Sequence, residues 1–104
     1  MKWPNKDPNE SLDYSLDWSR FLRAGSTIVT VNWFIDDASG VKQSFNPDVV
    51  VDGLHSYGKV NSSTVATIYL KDGTLNKQYK IYCQMTDTLG FVAERSITLA
   101  IKER

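Results

Sequence analysis

Apolar and polar residues trade places at every second position in one stretch of this chain after another. In residues 12–18, Leu12, Tyr14, Leu16 and Trp18 fall on one side and Asp13, Ser15 and Asp17 on the other. Successive side chains of a strand point to opposite faces, so this pattern predicts a strand with one face buried. Residues 26–36 repeat it, with Val29, Val31, Trp33 and Ile35 on one face and Thr30, Asn32 and Phe34 on the other. Further along, three more inward sets follow the same period: Ala66, Ile68 and Leu70, then Tyr79, Ile81, Cys83 and Met85, then Ile97, Leu99 and Ile101. No segment sustains a helical period.

The punctuation between these stretches is turn chemistry. Residues 19–25 read as a turn or a single helical turn ended by Gly25, residues 36–40 as a polar turn, and Asp72-Gly73 and Gly90 as tight reversals. Pro47 interrupts residues 41–54, which predicts one or two short strands at a sheet edge. Residues 55–63, with His55, Tyr57 and Gly58, read as a loop or a short edge pair. Short strands at this spacing predict an all-β fold: a single antiparallel β-sandwich of about seven strands, with a small barrel as the fallback. Two details point to an immunoglobulin-like sandwich over residues 12–104. Trp33 sits mid-strand, where such a core keeps its central aromatic, and Leu75 stands four residues before Tyr79 at the mouth of a strand. That spacing is similar to a tyrosine corner, whose phenol bonds back to nearby backbone. Residues 1–11, with Pro4 and Pro8 among charges and asparagines, read as an extended N-terminal arm with little to bury.

Charge narrows the function classes. Twelve basic and twelve acidic residues are interspersed to a net charge of zero, which leaves no basic stripe for nucleic acid or a membrane surface. No apolar run approaches the ~20 residues of a membrane span, and the first residues lack the apolar core of a secretory signal. Cys83 is the lone cysteine, so no internal disulfide forms and synthesis in a reducing host cytoplasm is expected. Catalysis needs convergent reactive groups, and none is legible. His55 is the single histidine and reads as a solvated loop residue; Cys83 is in phase with its apolar neighbours and reads as a buried thiol. Asp13 and Asp17 lie two strand repeats apart, Asp36-Asp37 is a turn pair, and Asp87 with Glu94 is too sparse for calcium. The expectation is a non-enzyme with no cofactor and no metal. The remaining signal is aromatic: Trp3, Phe34, Tyr57, Tyr69, Tyr82 and Phe91 fall outside or on faces of open burial. Phe34 and Tyr82, in the outward phase of neighbouring strands, would form an apolar patch for a partner protein.

The string in residues 6–18, KDPNESLDYSLDW, with the later ATIYLKDGTLNKQYKI and ERSITLAIKER, resembles a family of small structural proteins of tailed bacteriophages and prophages. The resemblance spans most of the chain, is best at residues 6–18 and 66–101, and finds no counterpart in residues 36–63. The strand through Tyr82, Cys83 and Gln84 departs from the threonine- and arginine-bearing strand more usual there. Separately, the Tyr79–Gly90 run is similar to the penultimate strand and turn of PKD-like and cadherin-like domains. The phage resemblance implies an immunoglobulin-like virion protein from the head and head-to-tail gene region, decorating the capsid or completing the head or neck. Its partners would be other virion proteins, either the major capsid protein or neck and tail proteins, met as a homo-oligomer or as lattice-bound copies. The arm would then be a tether, with Trp3, Pro4, Lys6, Asp7 and Pro8 joining Phe34 and Tyr82 as partner-binding residues. A stand-alone module binding a glycan or cell surface through loop aromatics such as Tyr57 is the alternative.

Overall fold

A computed structural model describes residues 1–103 and is all-β, with eight strands in two four-stranded sheets. The strands are β1 (Ser11–Asp17), β2 (Ile28–Asp36), β3 (Lys42–Ser44), β4 (Val49–Val51), β5 (Leu54–Asn61), β6 (Val65–Asp72), β7 (Gln78–Asp87) and β8 (Val92–Ala100). One sheet runs β1-β6-β5-β4 and the other β3-β2-β7-β8, every named pairing antiparallel. The inward phases expected from alternation close a common core: Tyr14, Leu16, Trp18, Trp33, Ile35, Ala66, Ile68, Leu70, Tyr79, Ile81, Cys83, Met85, Ile97, Leu99 and Ile101 are all buried in it. Burying such side chains contributes roughly 1.5–3 kcal/mol each, which makes the phase of each strand, and so its register, hard to slip.

Two expectations give way to local geometry. Val29 is 57% exposed and Ile28 is buried in its place, because the β2–β7 register shifts between Ile28 and Thr30. A bulge of that kind inserts a residue and turns the side chains before it to the other face. Residues 54–61 form a full strand and no loop: β5 pairs with β6 along its length, with a second register shift between Ser56 and Gly58. The small Gly58 has no side chain to announce the strand, and it serves its neighbour, since a Cβ there would stand 3.0 Å from the Tyr69 ring.

The backbone bonds expected of the Tyr79 phenol are present, while Leu75 is exposed. Tyr79 Oη accepts a hydrogen bond from the Thr74 amide at 2.9 Å and donates one to the Asp52 carbonyl at 2.6 Å. It ties the loop before β7 to the β4–β5 turn, where Asp52 and Gly53 both have positive φ.

Candidate partner-binding surface

The expectation that the N-terminal arm has little to bury is corrected at two residues. Trp3 is buried, stacked on Tyr14 with ring centroids 4.9 Å apart and tilted against Trp33 at 6.0 Å. Its indole N–H donates to the Ser15 carbonyl at 3.2 Å. Lys6 is fully buried, and its ammonium donates to the carbonyls of Asp72 at 2.6 Å and Asp7 at 2.9 Å. Burial holds the Lys6 pKa below its ordinary value, an effect opposed by the nearby carboxylates of Asp72, Glu10 and Asp7. Between these anchors the arm runs parallel to β8, with bridges from Lys2 to Thr98 and from Lys6 to Ile101. The Trp3 and Lys6 amides donate to Thr98 and Ala100, while Thr98 and Lys102 donate to Met1 and Lys6.

Residues 1–6 therefore close one long side of the sandwich, between the edge of β1 and the edge of β8. Pro4 remains exposed, its carbonyl accepting from the Tyr14 hydroxyl at 3.3 Å. Asp7 and Pro8 are half-buried in the reversal that leads into β1, where the Asp7 amide donates to Glu10 at 2.9 Å. Of the expected arm residues, Trp3 and Lys6 face the protein's own core, leaving Pro4, Asp7 and Pro8 on its surface.

Phe34 and Tyr82 are brought together as expected, directly opposite one another in the β2–β7 register and half-buried on the outer face. The patch they form is dressed by polar groups. Lys42 reaches across it, its ammonium 4.8 Å from the Phe34 ring and 4.5 Å from the Tyr82 ring, to pair with Glu94 at 2.7 Å. The Tyr82 hydroxyl donates to Asp36 at 2.9 Å. Burial, followed by that bond to Asp36, raises the Tyr82 pKa. Lysine stems commonly cover apolar surface in this way, so a partner meeting this face meets charge first.

The reactive groups are in structural use. His55 lies on β5, half-buried beside Asp48, and so is a strand residue where a loop residue was expected. Tyr57, expected on a loop, occupies the β5 bulge, with its ring 5.9 Å from that of Tyr69. Burial pushes the Cys83 thiol up to about 12, with the Trp18 side chain pulling the other way. A thiol so placed is almost wholly protonated at neutral pH and is a poor nucleophile. Asp87 is buried and caps its own turn, accepting from the Leu89 and Phe91 amides at 2.9 Å. Among the described residues no three His, Cys, Asp or Glu side chains converge as a metal site.

A surface that sequence reasoning missed lies in the main chain. The described arm bonds to β8 at Thr98 and beyond, and near Arg95, earlier on the same strand, stand Trp18 and Phe21, edge-to-face at 5.7 Å. The Arg95 guanidinium lies over both rings, at 5.2 and 5.6 Å. No side-chain pattern announces an open edge, because what it offers is unpaired backbone.

Residues 6–100 match the model of a protein family described as podophage GP4 fiber-tail adaptor protein gp77. The chain belongs to this family. It is thus a small structural protein of a tailed-phage virion, and the match runs from the buried Lys6 of the arm to the end of β8. Trp3 and Pro4 lie outside it. No curated protein matches the chain.

Proposed function

We propose that this gp77-family protein is a non-enzymatic adaptor of a podophage tail, holding a fiber to the tail through contacts with other virion proteins. The observation that carries this reading is the family match across residues 6–100, which takes in every strand of the sandwich. The description of that family favors the tail over the capsid decoration expected from the sequence. The fold is suited to such work: reactive groups are buried or spent on structure, and the edges at β3 and β4, part of the β8 edge and two outer sheet faces are left for neighbors. Made in the host cytoplasm, where Cys83 stays reduced, the chain would act in several virion-bound copies, since small interfaces gain strength by repetition.

Particles assembled from a genome lacking this chain test the reading directly. Electron microscopy is expected to show filled heads and tails bereft of fibers, with fibers restored when the chain is supplied in trans. Normally fibered particles without the chain would rule the adaptor role out, and heads that lose integrity would favor decoration.

A further inference from the structure

The main-chain hydrogen bonds along β8 leave a specific gap. Thr98 sends both its N–H and its C=O to the arm, so the Lys80–Thr98 pair is one of the non-hydrogen-bonded pairs of the β7–β8 ladder. Antiparallel pairs alternate strictly between bonded and non-bonded, and this ladder has no register shift. Val92, Glu94 and Ser96, paired with Thr86, Gln84 and Tyr82, therefore also turn their backbone groups away from β7. Among the described residues, the backbone bonds of the arm to this outer edge lie at Thr98 and beyond. Along residues 92–96 no other described strand covers that edge.

Unpaired strand edges are templates for added strands, and proteins commonly guard them with charges that point inward. Arg95 is the guard here. It is exposed, it lies over the Trp18 and Phe21 rings, and it donates to the Glu94 carbonyl at 3.1 Å. Among the described residues it has no carboxylate partner. Glu94, its neighbor in sequence, points to the opposite face and is taken by Lys42.

We propose that the open edge of β8 at residues 92–96 receives an extended, acidic segment of a neighboring virion protein as an added strand. The arm has already shown that this edge accepts a strand lower down, and the added segment continues the same track. Its amides would take over the Glu94 carbonyl, freeing Arg95 to pair with a carboxylate of the segment, while Trp18 and Phe21 flank an inward apolar side chain. Main-chain bonds supply affinity in this mode and alternate side chains supply selectivity. The inference rests on the adaptor reading, for which it names one contact and the chemistry of the partner.

The test uses purified particles assembled without this chain, mixed with the full-length wild type, Ser96→Pro or Arg95→Glu. Proline at position 96 removes an outward N–H while sparing the bonds to β7. Wild type is expected to join the particles, and both variants, with near-UV dichroism like wild type, to show at least tenfold lower occupancy. Arg95→Glu, which leaves the backbone intact, decides the matter if Ser96→Pro does not fold. Folded variants that join as well as wild type overturn the edge contact and leave the adaptor reading standing. Failure of wild type itself to join overturns both. A dimer of the isolated chain that Ser96→Pro abolishes would put a second copy on this edge and likewise overturn the acidic partner.

Discussion

Trp3→Ala is expected to lower the stability of the isolated protein by about 3–5 kcal/mol, the usual cost of removing a buried large aromatic side chain. The residue sits in a segment that composition marks as a loose leader, yet its ring stacks on Tyr14 and meets Trp33 at the center of the core. Truncation leaves a cavity walled by those two rings and deprives the Ser15 carbonyl of its indole donor. The remaining arm would lose the anchor that keeps Lys2 and Lys6 in line with β8. For a domain of this size such a loss lowers Tm by more than about 12 °C. Thermal unfolding followed by near-UV dichroism checks it, and a Tm within about 3 °C of wild type would show that the arm is dispensable to the fold. The contrast with a pure tether is clear. A segment that orders only on a partner would leave the stability of the free chain unchanged when trimmed.

Tyr79→Phe is expected to cost about 2 kcal/mol, through hydrogen bonding alone, because the ring and its burial are retained. The lost hydroxyl leaves the Thr74 amide without its acceptor. The Asp52 carbonyl keeps only the Thr74 hydroxyl, at 3.0 Å. The Thr74 bond is part-buried, so its amide recovers some hydration, and the cost is that of two lost hydrogen bonds of about 1 kcal/mol each. The damage is local: the turn at Asp52 and Gly53 separates from the loop leading into β7, at the end of the sandwich where Lys77 also meets Asp52 at 3.4 Å. Denaturant unfolding should show a lower midpoint with an unchanged slope, and hydrogen exchange should quicken at Thr74 first. Equal midpoints for Tyr79→Phe and wild type would mean that the corner is geometry without energy.

These two residues also show what the sequence makes legible. Tyr79 was readable because its strand alternates without interruption and its spacing from Leu75 is local, whereas its bond to the Asp52 carbonyl, 27 residues away, was not. Trp3 was not, because its partners Tyr14 and Trp33 belong to different sheets and are reached only once the chain has folded. The same divide runs through the rest. Alternation found the inward sets of β1, β6, β7 and β8, where nothing breaks the period of two. It misassigned Val29, and it could not decide between a loop and a short edge pair for residues 55–63, where bulges shift the phase. The pairing of Phe34 with Tyr82 was legible from phase, whereas the Lys42 side chain that dresses it comes from a strand of three residues beyond a turn. The open edge of β8 was beyond reach for a different reason: strand order decides which backbone groups lack a neighbor, and side-chain pattern does not encode it.

The most direct test of the adaptor role is a cryo-electron microscopy reconstruction of the intact particle, resolved well enough to recognize an eight-stranded sandwich with Trp3 in its core. The prediction is density for this chain between fiber and tail, with residues 1–6 lying along its own β8. Density for the chain on the capsid shell, or none at the base of the fibers, would contradict it.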